Sequence, residues 1–199
     1  MKAAIGILCG GKSRRMGRNK AELEWNGATL LAHLASSMLK DDRKLYLSVA
    51  AAGSLAEPFR PYAVEDGWKN CGPLGGIASV LNAADTEAVF FCAVDMPYVS
   101  LQTVEYLEQC LTEEDDGVCF VDGERMHPLC AIYRKRFAPM IEKQLASGDY
   151  RMRKLAANDR IRKVPFDSGI LCEKTLWNLN TPDDYAKAAK HSCRDEVDV

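Results

Sequence analysis

The chain has 199 residues, of which 47% are hydrophobic and 27% are charged, a composition typical of a globular domain with a substantial core. The formal net charge of -2 excludes a large basic surface for nucleic acid or an anionic membrane, so any phosphate site must come from a local cluster of cations. No apolar run approaches the roughly 18 residues of a membrane span, and glycines interrupt the N-terminus too early for a signal peptide, which predicts a cytoplasmic protein.

Apolar runs alternate with amphipathic stretches along the chain. The predicted strands cover residues 3–9, 44–50, 62–65, 87–94, 117–121, 127–133 and 162–166. The predicted helices cover residues 29–39, 73–84, 101–111, 139–146, 151–157 and 182–191. Strands that alternate with helices at this spacing predict an α/β fold with a mostly parallel sheet, helices on both faces and a mixed C-terminal edge. We expect a single domain over residues 1–191 and a disordered tail over residues 192–199.

The eight cysteines form no Cys-x-x-Cys pair, and most of them lie inside apolar runs. We therefore predict buried free thiols rather than disulfides or a metal site. Ligands of open α/β sheets bind outside the carboxyl ends of the strands, so the loops that follow strands 3–9, 62–65 and 87–94 are where a site is expected. These loops read CGGKSRRMGRNK, DGWKNCGPLGG and DMPYVS.

The first of these loops admits two interpretations. Read from Gly6 to Ser13, GILCGGKS matches the P-loop pattern, and the apolar strand that ends in Asp95 looks like a Walker B strand, which would indicate an NTPase or kinase. A P-loop, however, needs its first glycine in the loop, and Gly6 lies inside the hydrophobic strand. The following helix would also carry Gly17 in its middle. The local context therefore argues against a P-loop.

In the second interpretation the strand ends at Cys9, and the glycines at 10 and 11 let the backbone approach a phosphate and direct N–H groups at it. Positive charge suited to a triphosphate follows in Lys12, Arg14, Arg15 and Lys20. Gly17 permits a turn that brings Lys20 back toward the phosphates. This interpretation accommodates the whole loop and predicts a nucleotide site.

The segment LCGGKSRRMGRNKAEL resembles the L-A-G-G-x-S-x-R-M-G-x-D-K loop of molybdenum cofactor guanylyltransferases and their nucleotidyltransferase relatives. Three further segments are similar to that family in the same order, namely DGWKNCGPLGGIASVL (66–81), FFCAVDMPYVS (90–100) and WNLNTPDDY (177–185). The resemblance implies a Rossmann-like α/β nucleotidyltransferase fold. It also implies transfer of GMP from Mg-GTP to the terminal phosphate of molybdopterin or Mo-molybdopterin, with release of pyrophosphate. Cytidylyl transfer to molybdopterin on a closely related scaffold stays open as an alternative.

Charge neutralisation and positioning should carry most of this chemistry, because an anionic phosphate attacks an anionic phosphate. Asp95, at the end of an apolar strand, is the expected Mg²⁺ ligand. Lys20 and Arg15 are expected to hold the β- and γ-phosphates, with backbone donors from Gly10 and Gly11.

The resemblance assigns the remaining site residues. It implies that Leu8, Cys9 and Gly10 line the GTP site through their backbone, and that Asp66 contacts guanine or ribose. Asn180 is expected at the reaction centre near the pterin, and Ser48 stands where family members carry an asparagine that contacts the nucleotide. The expected partners are GTP, molybdopterin, a molybdenum-insertion protein and the target molybdoenzymes, without nucleic acid or membrane.

Overall fold

The computed structural model describes residues 1–10, 20–40 and 42–189; the tail predicted to be disordered, 192–199, lies outside these ranges. The described strands are β1 (Ala4–Leu8), β2 (Glu24–Trp25), β3 (Ala28–Thr29), β4 (Leu45–Val49), β5 (Ala63–Glu65), β6 (Ala88–Ala93), β7 (Gly117–Asp122), β8 (Arg125–Arg134) and β9 (Ile161–Pro165). The described α-helices are α1 (Leu30–Met38), α2 (Pro73–Ala83), α3 (Leu101–Cys110), α4 (Ala138–Ala146), α5 (Met152–Ala156) and α6 (Pro182–Ala189).

Seven of these strands form one sheet in the order β5-β4-β1-β6-β8-β7-β9. Strand β1 pairs in parallel with both β4 and β6, and β4 pairs in parallel with β5. Strand β8 runs antiparallel to its neighbours β6 and β7, whereas β9 is parallel to β7. The prediction of a mostly parallel sheet with a mixed C-terminal part is therefore confirmed.

Helices cover both faces of the sheet, as predicted. Helices α1 and α3 bury their apolar residues on one face, together with Phe90 of β6. Helices α2, α4 and α5 cover the other face, together with Phe91. Successive strand residues point to opposite faces, so a strand that is covered on both sides must be apolar at nearly every position. This explains why β6 reads AVFFCA and is almost wholly buried.

The helix starts follow from local chemistry. The side chain of Thr29 accepts a hydrogen bond of 3.1 Å from the N–H of Ala32 and so caps α1. Pro73 occupies the first turn of α2, where its missing N–H costs no helical hydrogen bond.

A short hairpin between β2 and β3 was not predicted from the sequence. Its turn residues Asn26 and Gly27 have φ angles of 50° and 81°, the left-handed values that a two-residue hairpin loop requires. The Asn-Gly dipeptide was the available signal, but strands of two residues are too short to show alternation. The hairpin carries Trp25, 3% exposed, into edge-on contact with the rings of Tyr98 and Tyr185, each at 5.8 Å.

None of the seven described cysteines forms a disulfide, and four of them are buried, namely Cys71, Cys92, Cys119 and Cys130. This agrees with the prediction, and Cys193 lies outside the described residues. Among the described helices, none is long and apolar enough to cross a bilayer.

At the end of the sheet where β7 begins, Asp116 forms ion pairs with arginines from two other segments of the chain. Its carboxylate accepts hydrogen bonds from the guanidinium groups of Arg136 and Arg160, and the residue is 6% exposed. Burial raises the pKa of Asp116, but the two guanidinium groups together lower it by more, so the net pKa is below its usual value.

We expect Asp116→Asn to lower the free energy of unfolding by about 2 kcal/mol at pH 7, because it leaves the arginines facing a neutral amide. A depressed pKa in the folded state contributes stability above the unfolded value of about 4, and that contribution is lost as the pH falls through the folded value. Urea unfolding of parent and variant should therefore differ at pH 7, and the difference should begin to shrink as the pH falls below about 4. The exposed Asp159→Asn is the control, and an equal loss there would contradict the assignment.

Candidate active site

Four parallel strands end side by side at one edge of the sheet. Backbone hydrogen bonds extend the pairing past the strand ends: the N–H of Cys9 donates to the C=O of Ser48 at 2.9 Å, and the N–H of Asp66 donates to the C=O of Val49 at 2.8 Å. The N–H of Val94 likewise donates to the C=O of Leu8 at 3.2 Å. The first residues after β1, β5 and β6, which are Cys9, Asp66 and Val94, therefore lie together at this edge, as predicted.

The P-loop interpretation is wrong. Gly6 lies in the middle of β1, in register with Tyr46 on one side and Phe91 on the other. A Cβ atom on Gly6 would lie 2.9 Å from the ring of Phe91, so this glycine allows close strand packing. It cannot open a phosphate loop.

One half of the site is a cluster of charged and polar side chains from three distant segments. The ammonium group of Lys20 lies 2.7 Å from Asp95 Oδ2 and 3.2 Å from Asn180 Oδ1. The side chains of Lys20 and Asp95 are 19% and 15% exposed, so the ion pair is largely shielded from water. Three of the predicted catalytic residues are thus in direct contact, while the fourth, Arg15, lies outside the described residues.

Asp95 is held firmly by its backbone and only partly satisfied by its side chain. Its C=O accepts a hydrogen bond of 2.8 Å from the N–H of Leu179, which ties the loop after β6 to the segment that carries Asn180. Its Oδ1 atom is buried and has no hydrogen-bond partner among the described residues. A buried carboxylate oxygen without a partner is costly, so this atom is poised to accept a ligand.

Helix α6 fixes the segment around Asn180. The carboxylate of Asp184 accepts hydrogen bonds from the N–H groups of Asn180 and Thr181, at 3.1 and 2.9 Å. In return, the N–H of Asp184 donates to Thr181 Oγ1 at 3.1 Å. This reciprocal arrangement is a capping box, and it fixes the backbone position from which the side chain of Asn180 contacts Lys20.

The other half of the site surrounds Asp66. The buried hydroxyl of Ser48 donates a hydrogen bond of 2.7 Å to Asp66 Oδ1. The second oxygen, Oδ2, faces the first loop, since a Cβ atom on Gly10 would lie 3.5 Å from it. Burial raises the pKa of Asp66, the hydrogen bond from Ser48 opposes that rise, and the neighbouring charge of Glu65 adds to it.

Leu8 and Cys9 lie between the two halves of the site. The side chain of Leu8 is 5% exposed and packs into the core, so only its backbone can face a ligand. Burial, with a smaller contribution from Asp66, raises the pKa of Cys9 to about 12. The thiol is therefore neutral at physiological pH and is not a nucleophile. Gly11, the remaining predicted backbone donor, lies outside the described residues.

Sequence reasoning missed the part played by Gly76. A Cβ atom at this position would lie 2.2 Å from Ser48 Oγ and 3.2 Å from Leu8 Cδ2, so the missing side chain lets α2 approach the site. The available signal was a glycine pair inside a helical pattern. Each such glycine costs about 1 kcal/mol relative to alanine and therefore indicates a packing reason.

A second depression, of about 540 Å³, lies at the opposite end of β4. Its border includes Lys40, Arg43 and Lys44, of which Arg43 pairs with Glu108 and Lys44 with Asp85. It is far from the loops that gather at the carboxyl edge, and we assign the chemistry to that edge.

Comparison with known proteins gives a consistent result. The model of the MobA-like NTP transferase domain matches residues 5–164. The chain is 30% identical to the molybdenum cofactor guanylyltransferase of Vibrio cholerae, covering 91% of this chain and 88% of that one. It is 31% identical to the molybdenum cofactor guanylyltransferase of Syntrophotalea carbinolica, with the same two coverages.

The fold is also similar to a solved structure, the molybdopterin-guanine dinucleotide biosynthesis protein A of Archaeoglobus fulgidus. The TM-score is 0.79 at 21% identity, and the match covers 94% of this chain and 97% of the other. This likeness supports the Rossmann-like nucleotidyltransferase fold that the sequence predicted.

We expect Gly76→Ala to destabilise the protein by about 1–3 kcal/mol, because the added methyl group overlaps Ser48 and the backbone of α2 must move away. Thermal unfolding should show a Tm lower by several degrees. Gly53→Ala is the matched control, since a Cβ atom there meets nothing within 4 Å. Equal Tm values for the two variants would show that α2 does not need this close approach.

Proposed function

Because the chain belongs to the MobA-like NTP transferase family, we propose that it transfers GMP from GTP to the terminal phosphate of molybdopterin or Mo-molybdopterin. The chain is a nucleotidyltransferase, and its relatives are named for guanylyl transfer in molybdenum cofactor synthesis. The observation that carries the proposal is the contact of Lys20 with Asp95 and Asn180, beside the carboxylate of Asp66.

The reaction exchanges one phosphoanhydride bond for another. An oxygen of the terminal phosphate of the pterin attacks the α-phosphorus of GTP and forms a new P–O bond. The bond between the α-phosphorus and the bridging oxygen to the β-phosphate breaks, and pyrophosphate leaves with that electron pair. Both reacting phosphates are anionic, so the protein must lower the repulsion between them and hold the two substrates in line.

We propose Mg²⁺ as the cation that accompanies GTP. The donor set fits it, because Asp95 offers a buried oxygen without a partner, and Mg²⁺ commonly binds one or two carboxylates together with substrate phosphates. Within the described residues, no group of three or more His, Cys, Asp or Glu side chains could hold a metal alone, which agrees with a cation that the nucleotide helps to bind. When bound, Mg²⁺ supplies charge neutralisation at the phosphates.

Lys20 supplies the second positive charge at the centre. In the structure its ammonium group neutralises Asp95. In the complex we propose that Lys20 would bind the phosphate oxygens of GTP and that Asp95 would hold the cation. Arg15 is proposed to assist on the same phosphates. Asn180 accepts a hydrogen bond from Lys20, and we propose that it faces the incoming pterin phosphate.

Asp66 is proposed to contact the nucleotide from the other half of the site, with backbone contacts from Leu8, Cys9, Gly10 and Gly11. Ser48 is the remaining residue of the proposed nucleotide pocket. A molybdenum-insertion protein and target molybdoenzymes are the proposed protein partners. The seven free thiols of the described chain support a cytoplasmic location.

One reaction tests the proposal. GTP labelled at the α and γ positions is incubated with Mg²⁺, freshly released molybdopterin and the enzyme, with labelled CTP in parallel. We expect the α-label in the pterin product and the γ-label in pyrophosphate, from GTP and not from CTP. Transfer from CTP would indicate the cytidylyl alternative, and release of orthophosphate would overturn the proposed reaction class.

The same assay tests the two charged residues. We expect Lys20→Met and Asp95→Asn each to lower kcat by about 10²–10³-fold, because each removes a charge that the transition state requires. The exposed Lys143→Met on α4 is the control and should retain parent activity. Thermal unfolding of each variant shows whether the loss is specific, and a Lys20→Met variant with parent kcat would contradict the role of this lysine.

A further inference from the structure

We propose that Ser48 is a positioning residue that aims the second carboxylate oxygen of Asp66 at the Watson–Crick edge of guanine. This inference rests on the proposed function for the identity of the nucleotide, and it names how that site selects the base. It also gives Ser48 a part that differs from direct contact with the nucleotide.

Ser48 is enclosed and turned away from a ligand. The residue is 2% exposed, and its hydroxyl donates to Asp66 Oδ1 at 2.7 Å. Gly76 covers the hydroxyl so closely that a Cβ atom there would lie 2.2 Å from it. The hydroxyl therefore has one described carboxylate partner and no room for a nucleotide atom.

Asp66 is consequently held at two points. Its N–H donates to the C=O of Val49 at 2.8 Å, and its Oδ1 accepts from Ser48. Oδ2 is left facing the loop at Gly10, where the backbone carries no side chain that could block a ligand. A carboxylate fixed in this way presents one acceptor in a defined direction.

The charge of this acceptor determines which base edge it suits. An ionised carboxylate can only accept hydrogen bonds, and guanine offers adjacent N1–H and N2–H donors. Adenine and cytosine place a ring-nitrogen acceptor beside their amino group, and this acceptor would repel the carboxylate. Hypoxanthine keeps N1–H but lacks the amino group, so ITP measures the contribution of the second donor.

Ser48 also favours the ionised form of Asp66. Burial and the charge of Glu65 raise the pKa of Asp66, and the hydrogen bond from Ser48 acts against both. Asp66 in turn contributes to the raised pKa of the Cys9 thiol, which therefore stays neutral and adds no charge beside the carboxylate. Loss of the hydroxyl should therefore raise the pKa of Asp66. As the pH is lowered, GTP binding should then weaken at a higher pH than in the parent.

The experiment compares the parent, Ser48→Ala, Asp66→Asn and the double variant. We expect Ser48→Ala to raise the KM for GTP about tenfold with little change in kcat, and to reduce the preference for GTP over ITP toward that of Asp66→Asn. The double variant should lose little more than Asp66→Asn alone, because the hydroxyl acts through the carboxylate. The acid limb of the pH profile for 1/KM should move to higher pH in Ser48→Ala.

The exposed Ser36→Ala is the matched control and should behave as the parent. Two outcomes overturn the inference: parent values of KM and of the GTP-to-ITP preference in Ser48→Ala, or an equal loss for both nucleotides together with a lower Tm. Equilibrium binding of GTP and ITP separates this test from the proposed function. If binding shows the expected loss while no variant or parent transfers the α-label, the inference stands and the proposed reaction fails.

Discussion

The parallel pairing of β1 with both β4 and β6 is the constraint on which the site depends. It aligns the carboxyl ends of three strands, and the backbone hydrogen bonds of Cys9 and Val94 continue this alignment beyond the strands. Gly6 makes the pairing possible, because Phe91 occupies the space where a side chain would stand. A shift of one residue in β1 would move each of its buried side chains to the opposite face of the sheet and change the alignment of the two halves of the site.

Two partly buried carboxylates serve this site in different electrostatic environments. Asp95 lies against the ammonium group of Lys20, which suits it to the charged phosphates and their cation. Asp66 lies against the neutral hydroxyl of Ser48, a partner that leaves the charge of the carboxylate unneutralised. We propose that hydrogen-bond donors of a base match this charge. We therefore propose a different task for each of the two aspartates, according to the group that lies beside it.

The fold was largely predictable, because apolar runs such as that of β6 and first-turn signals such as Pro73 are local in sequence. The position of the site followed from the same strand order. The contact of Lys20 with Asn180 joins residues 160 positions apart, and no local pattern can show it. The enclosure of Ser48 by Gly76 depends on how closely α2 approaches the sheet, which is a property of packing rather than of composition.

The long separation between Lys20 and Asn180 has a consequence for synthesis on the ribosome. The strands that carry Ser48 and Asp66 emerge early and can pair with β1 while translation continues. The reaction centre is different, because Lys20 and Asp95 contact Asn180 and Leu179, which leave the ribosome among the last residues described. In a nascent chain we therefore expect the Ser48–Asp66 half of the site to form before the half that contains Lys20, Asp95 and Asn180.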